Sequence, residues 1–326
     1  MVDLGTTALS VSVEEQEAIR AQIRAVMADE DLSMTDVARG AAIPYGTFSS
    51  WMGATYNGRG DRVGAQAKRW IEARKIQQET RALAPSAPGF LMTPSAEAFQ
   101  NVFAHAQHMV DLAVITGGPG VGKTMAAQAY RARTPNVWLM TAEPCFATPR
   151  MLLDDVSETL GIPREYTAQM ASRAVVRKLR DSGALLIVDE AQHLSTAALD
   201  QLRTIHDLAH VGVVLVGNET IYARLEGGTR TAAFAQLFSR VGFRLPRGAK
   251  PLAKDVDVLL DAWGVQSTPE RKLLHTIARK PGALRGMTKT LRMAHMMAAA
   301  EHVPLADNHI LVAYRQLSAT DLAEAA

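Results

Sequence analysis

"GGPGVGKT" occupies residues 117–124 and follows directly on the apolar run "LAVIT" at 112–116. Gly117, Gly122, Lys123 and Thr124 satisfy the spacing G-x-x-x-x-G-K-[ST] without a gap. "MAAQAYRAR" (125–133) leaves the loop with helical composition, so the motif stands between a strand and a helix. Glycines let the backbone turn its N–H groups inward, and the helix start adds free amides and partial positive charge. Gly117, Gly118, Pro119, Gly120, Val121, Gly122, Lys123, Thr124 and Met125 are therefore the candidate cradle for a nucleoside triphosphate. Lys123 is expected to reach the β- and γ-phosphates, and the Thr124 hydroxyl to ligate Mg²⁺.

The chain around this loop has 326 residues, enough for about two domains with substantial cores. Hydrophobic residues make up 48% and charged residues 21%, ordinary values for a globular protein. The single cysteine, Cys145, excludes an internal disulfide and fits a reducing cytosol. It has no visible base beside it that would make it a nucleophile. No apolar segment approaches the roughly 20 residues a membrane span needs, and no signal-peptide pattern opens the chain.

A net charge of +2 does not by itself argue for nucleic acid. Its distribution says more: 59–81 holds Arg59, Arg62, Lys68, Arg69, Arg74, Lys75 and Arg81, and 240–292 is similarly rich in arginine and lysine. Such clusters, exposed, offer contacts to a phosphate backbone.

Residues 1–58 read as all-helical, and 59–92 as a basic segment and linker ending in the proline-rich "LAPSAPGFLMTP" (83–94). From 93 to 247 strand-like runs near 112–116, 136–141, 184–188, 212–216 and 241–245 alternate with helical ones. That alternation predicts an α/β core with a parallel sheet covered on both faces. Residues 248–318 read as helical only, and 319–326 as a tail.

"LSMTDVARGAAIPYGTFSSWMG" (32–53) places Val37, Ala38, Ile43, Phe48 and Trp51 where two short packed helices bury their inner faces. "EEQEAIRAQIRAVMADE" (14–30) supplies a third helix with Ile19, Ile23 and Val26 on one stripe. The three resemble a phage-repressor helix-turn-helix, with Tyr45, Gly46, Ser49 and Ser50 towards a DNA groove. Ala42 stands where that family carries its turn glycine. The second helix lacks the Arg, Asn or Gln that would read bases, so little sequence preference is expected. A three-helix bundle that binds protein is the alternative.

"ALLIVDEAQHL" (184–194) is a buried strand ending in paired acids, some 65 residues after Lys123. Asp189 is the candidate Mg²⁺ holder and Glu190 the candidate general base that polarises the attacking water. "VVLVGN" (213–218) ends in Asn218, a polar side chain suited to orienting that water. These segments resemble the AAA+ ATPase superfamily across about 93–317. The resemblance implies that Asn218 takes the sensor-1 place, that Arg240 in "QLFSRVGFRL" (236–245) is the arginine finger acting on a neighbouring subunit, and that Arg285 in "GALRGMTKTLR" (282–292) is the sensor-2 arginine of a helical lid. Arg244 is the rival for the finger.

Within that superfamily the motifs are similar to the transposition ATPases and, with the helix-turn-helix included, to the phage Mu B family. What this implies is ATP-dependent oligomerisation, as filament or ring, on double-stranded DNA with little sequence specificity, delivery of that DNA to a transposase, and reset by hydrolysis. Lys68, Arg69, Arg150 and Arg173 join Tyr45, Ser49 and Ser50 as candidate DNA contacts. Other readings are a secretion-type AAA+ ATPase, a helicase-loader-like chaperone and an ATP-regulated transcription factor. The first is expected to carry a membrane span or cell-wall module. The second does not usually carry the helix-turn-helix, and the third is expected to carry base-reading side chains. His105 with His108, and His206 with His210, have helical spacing but no third ligand nearby, so a metal site is not expected. Met293, Met296 and Met297 read as core.

Overall fold

Ile19 and Ile23, one helical turn apart, vanish completely or nearly so from solvent on α1 (Val13–Asp29), which opens on a Ser12–Glu15 capping box. The computed structural model describes residues 11–83, 88–144, 148–221, 240–248, 250–320 and 322. Cys145, most of the stretch preceding Arg240, part of the linker and most of the tail lie outside the described residues. The chain divides into two compact units, one to residue 85 and one from 86 onward.

In the first unit α2 (Met34–Gly40) and α3 (Tyr45–Met52) form the expected short pair. Val37, Ala38, Ile43, Phe48 and Trp51 are all buried with Ile19 and Ile23 in one core. The turn between them holds Ala42 at φ +54°, a left-handed conformation that L-residues disfavour. The Gln66 side-chain amide donates to both the Ala41 and Ala42 carbonyls at 3.0 Å and so braces that turn.

Gln66 belongs to α4 (Gly60–Leu83), and this corrects the reading of 59–92 as a basic segment and linker. Val63 and Ala67 are buried in the helix-turn-helix core, with Trp70 and Ile71 packed against it. Positions 63, 67, 70 and 71 share one helical face; Arg74 joins that face and pairs with Glu30 at the end of α1, whereas Arg62, Lys68, Arg69 and Lys75 are exposed. The helical unit therefore continues well past residue 58.

The second unit is built on strands that are apolar at successive rather than alternate positions, the pattern of a sheet covered on both faces. β1 (Leu112–Thr116), β3 (Leu185–Asp189) and β4 (Gly212–Gly217) are buried at every residue. With β2 (Val137–Thr141) and β5 (Val241–Pro246) they form one sheet in the order β2-β3-β4-β1-β5. Every pairing is parallel, and all five strands fall within a residue or two of the predicted runs. On one face Ala113 and Ile115 meet Phe99 and Phe103 of α5 (Pro94–His108) and Tyr130 of α6 (Lys123–Arg133). On the other Leu112 and Val114 join α7 (Pro149–Thr159), α8 (Ala168–Leu179) and α9 (Thr196–Ala209).

After the sheet come α10 (Ala253–Ala262), α11 (Thr268–Ala278), α12 (Ala283–Ala300) and α13 (Asp307–Ser318), packed around Leu260, Leu274, Met287, Leu291 and Ile310. Met293 and Met297 pack against this core, as read. The lid is tied to the sheet domain by Asp255, whose carboxylate is wholly buried. It accepts from the Ser95 N–H at 2.8 Å, the Ser95 hydroxyl at 2.6 Å and the Leu252 N–H at 3.0 Å. One carboxylate thus serves the first turns of both α5 and α10, where the helix dipoles favour negative charge. Among the described residues no helix is long and apolar enough to cross a membrane.

Candidate active site

All five strands point the same way, so the loops at their carboxyl ends share one rim, the usual ligand edge of such sheets. The loop after β1 holds Gly117 and Gly118 in the interior, while Pro119 projects to solvent. Gly120 (φ +82°) and Gly122 (φ +98°) take the left-handed backbone that the turn needs and glycine supplies at no steric cost. Val121 turns into the core as an anchor, and Met125 on the first turn of α6 is exposed. The N–H of Gly117 donates to the Gly217 carbonyl at 3.2 Å, fixing the loop to the end of β4.

Lys123 Nζ donates to the carbonyls of Gly117 at 2.8 Å and Gly118 at 2.9 Å, which folds its side chain back over the loop. Burial holds its ammonium below the ordinary lysine value of 10.5; Asp189 and Glu190 pull it back up, and Arg285 adds to the depression. A half-buried cation folded over a glycine loop at a helix start suits a polyphosphate. One residue on, the Thr124 hydroxyl donates to Asp189 Oδ2 at 2.6 Å. Asp189 is the last residue of β3 and is 2% exposed. A hydroxyl and a buried carboxylate converging at the foot of the phosphate loop are the oxygen donors a hard divalent cation takes.

Glu190 follows in the left-handed region (φ 52°, ψ 34°), so its side chain parts from that of Asp189 and stays exposed. The next residues make a single 3₁₀ turn, Ala191–His193, and this brings Gln192 beside Glu190. Gln192 Nε2 donates to Glu190 Oε2, and Gln192 Oε1 accepts from the Asn218 N–H at 3.3 Å. Asn218 Oδ1 in turn accepts from the Thr220 N–H at 3.0 Å. That bond fixes the carboxamide with its N–H₂ arm on the other side. Gln192 carried no motif of its own; only the backbone turn at Glu190 reveals its place.

The lid enters at Gly120. Gly282 (φ +97°) precedes α12, and Ala283 is buried in the same core as Val121. Arg285, on the first turn of α12, is exposed within electrostatic reach of Lys123. Arg247, not singled out in the sequence, packs its Cβ and carbonyl against Gly117, and its N–H donates to the Thr116 carbonyl at 2.7 Å. Arg240 is exposed just before β5 and pairs with Asp207 at 3.6 Å. Arg244 lies exposed on the edge strand β5.

Of the candidate DNA contacts in the first unit, Tyr45 is 54% exposed at the start of α3, and Lys68 and Arg69 are exposed on α4. Ser49 and Ser50 are half-buried, and the Ser50 hydroxyl donates back to the Gly46 carbonyl at 2.8 Å. In the second unit Arg150 is engaged within the protein. Its guanidinium pairs with Asp154 at 2.8 Å and donates to the Glu165 carbonyl at 2.6 Å, bracing the α7–α8 connection. Arg173 instead lies exposed on α8 in line with Arg177 and Arg180, beside an open groove of about 500 Å³ that reaches Leu208. His105 Nε2 sits 3.3 Å from Asp111, and His206 Nδ1 lies 2.8 Å from the Val211 carbonyl.

Residues 110–225 match a family model described as an AAA domain, and 239–317 one described as the C-terminal part of the Mu B transposition protein. Over 302 residues the chain is 35% identical to the ATP-dependent target DNA activator B of Escherichia phage Mu, covering 92% of this chain and 95% of that protein. The Mu-like prophage FluMu DNA transposition protein B of Haemophilus influenzae is 32% identical over 269 residues, covering 81% of this chain and 92% of that one. A solved structure of Drosophila ORC bound to DNA shares the fold, with a TM-score of 0.52, 16% identity, and coverage of 76% of this chain and 66% of that one. The sheet domain is an AAA ATPase domain. With its helix-turn-helix unit, ATPase core and helical lid together, the chain belongs to the Mu B family of transposition proteins.

Proposed function

We propose that this protein is an ATP-dependent, largely sequence-nonspecific DNA-binding ATPase that oligomerises on target DNA and hands that DNA to a transposase. The observation that carries the reading is the convergence of Lys123, Thr124 and Asp189 on one phosphate loop, in a chain related to target DNA activators along nearly its whole length. Thr124 and Asp189 would hold Mg²⁺, which supplies charge neutralisation for the phosphates. Lys123 binds the β- and γ-phosphates from its seat on Gly117 and Gly118. Glu190 takes the proton from the attacking water, and the amide arm of Asn218 orients that water. Arg285 of the lid and Arg240 from a neighbouring protomer complete the charge around the γ-phosphate, with Arg244 the alternative finger.

DNA is held through phosphates by Lys68, Arg69 and Arg173, with Tyr45, Ser49 and Ser50 on the helix-turn-helix. The absence of Arg, Asn and Gln between Tyr45 and Met52 leaves no side chain for bidentate base contacts there. The reading has the protein work in the cytoplasm of a bacterial host. Mixing the protein with random-sequence duplex DNA, with and without ATP and Mg²⁺, tests it. Long cooperative complexes that require ATP are expected, and Lys123→Ala abolishes them. Binding indifferent to ATP, or dominated by one short sequence, defeats the reading.

A further inference from the structure

We propose that Gln192 is a positioning residue for hydrolysis, joining the Glu190 carboxylate to the Asn218 backbone so that the base and the sensor strand keep one relative placement. The inference rests on the reading of Glu190 as the water-activating base.

Three observations carry it. The first is the double engagement of one planar amide, which donates through Nε2 to Glu190 Oε2 and accepts through Oε1 from the Asn218 N–H at 3.3 Å. A carboxamide offers a donor and an acceptor on one planar group, and Asn is one methylene shorter than Gln. The second is the room kept for that amide. A Cβ on Gly217 would lie 2.3 Å from Gln192 Oε1 and 2.6 Å from Ile221 Cδ1, so the end of β4 needs glycine where the amide crosses it. The third is the anchorage of the turn: Ala191 is 1% and Leu194 0% exposed, which fixes the backbone on both sides of Gln192.

The consequence follows from geometry. Asn218 has its own carboxamide tied to Thr220, so a displacement of its side chain by a γ-phosphate oxygen moves the local backbone. The Asn218 N–H passes that displacement to Gln192, and Gln192 passes it to the exposed carboxylate of Glu190. The device lets occupancy at the sensor set the position of the base. Neither Lys123 nor Thr124 takes part in it, so nucleotide affinity is largely independent of it.

The test compares Gln192→Leu, Gln192→Glu, Asn218→Ala and the double variant Gln192→Leu/Asn218→Ala with the parent in steady-state ATP hydrolysis. Gln192→Leu keeps the volume and removes both hydrogen bonds. A fall in kcat of about tenfold with KM changed by less than about twofold is expected, because the lost interaction acts on the transition state. In Gln192→Glu the acceptor remains, the donor is lost and a second carboxylate faces Glu190, so its kcat falls at least as far. Asn218→Ala keeps the backbone N–H that Gln192 accepts from but removes the side chain that starts the linkage, so in the double variant the losses combine to less than their product. Thermal unfolding equal to the parent's separates this from mere loss of structure; should Gln192→Leu unfold, Gln192→Glu decides by the same criteria. Parental kcat, a loss confined to KM, or multiplying effects would overturn the proposal. Glu190→Gln is measured in parallel: if it hydrolyses ATP at the parental rate, the reading of Glu190 has failed, whereas an inactive Glu190→Gln beside normal Gln192 variants sinks this inference alone.

Discussion

Gly120 of the phosphate loop and Gly282 at the mouth of the lid pass so closely that a Cβ on Gly120 would lie 2.1 Å from the Gly282 carbonyl oxygen. Both residues are in the left-handed region, and Val121 and Ala283 beside them share one core. The lid is thus seated on the loop by backbone, with no side chain able to yield. Gly120→Ala meets the clash and also a φ of +82°, which costs a non-glycine residue about 1–2 kcal/mol. Displacement of α12 is expected, with ATP affinity falling at least about tenfold, near 1.4 kcal/mol. Calorimetric titration with ATP checks it, and unaltered affinity in a folded variant contradicts the seating.

The Ser95–Asp255 contact makes a sharper energetic claim. Asp255→Ala leaves the Ser95 and Leu252 N–H groups without the carboxylate they donate to in a dry interior. Each orphaned buried donor costs about 1–3 kcal/mol, so a loss of about 3 kcal/mol or more is expected. Ser95→Ala removes only the hydroxyl bond and should cost about 1 kcal/mol. Urea denaturation of both variants orders them; a larger loss for Ser95→Ala would be incompatible with the carboxylate as the hub.

Burial of the Lys123 ammonium sets a pH dependence with a definite sign. Its native pKa lies below 10.5, so between that value and 10.5 the unfolded chain binds the proton that the folded chain has released. Where the unfolded state binds more protons, stability rises with pH. Below that window the cost of the dry charge is present in full. In Lys123→Met the group is gone and so is its share of the slope. The stability of the parent relative to Lys123→Met should therefore increase as pH is raised from neutrality towards 10.5, read from paired urea midpoints. A difference constant across that range would be evidence that burial leaves Lys123 unperturbed.

What could be read from the chain before its fold followed from repeating local rules. The strands announced themselves because a doubly covered sheet buries every residue, as at Leu185–Asp189, and the phosphate loop because its spacing has few other uses. The α4 helix was hidden because its buried stripe is thin. Val63 and Ala67 are small, and the charges on the outer face dominate the composition of 59–81. Arg150 could not be told from Arg173 by residue type; Asp154 lies one turn away from Arg150, but the Glu165 carbonyl is brought to it by a connection of irregular backbone. Gln192 was illegible for a similar reason. Its partners are two and 26 residues away, joined by a left-handed turn at a residue that is not glycine.

Ala42 is the one position where the sequence departs from the helix-turn-helix pattern and the backbone does not follow. The turn keeps φ at +54°, as a glycine would allow, and Gln66 braces it with two hydrogen bonds. Ala42→Gly relieves the strain of about 1–2 kcal/mol but adds chain entropy to the unfolded state, for a net gain of about 0.5–1 kcal/mol. Gln66→Ala costs about 1–2 kcal/mol through the lost amide bonds. Thermal unfolding of the helical unit should shift upward for the first and downward for the second. A destabilised Ala42→Gly would show the left-handed turn to be wrong.

Arg173 and Arg177 on α8 and Arg180 at its C-cap follow at about one-turn spacing, all exposed, and none has an ion pair among the described residues. Arg150, on the same face of the sheet, is spent on Asp154 and the Glu165 carbonyl. If α8 follows a DNA backbone, each of the three arginines that meets a phosphate releases counterions, and its replacement by alanine should flatten the plot of log affinity against log salt by about 0.9. The triple variant would then lose about two to three units of slope, with no change in preference among random duplexes. Arg150→Ala should leave the slope untouched while lowering stability by about 1 kcal/mol, the worth of a half-exposed pair and its hydrogen bond. Fluorescence anisotropy of a labelled random-sequence duplex across a salt series, with ATP and Mg²⁺ present, measures both. A slope unmoved by the triple change, or one that responds to Arg150 instead, would place the duplex elsewhere on the molecule.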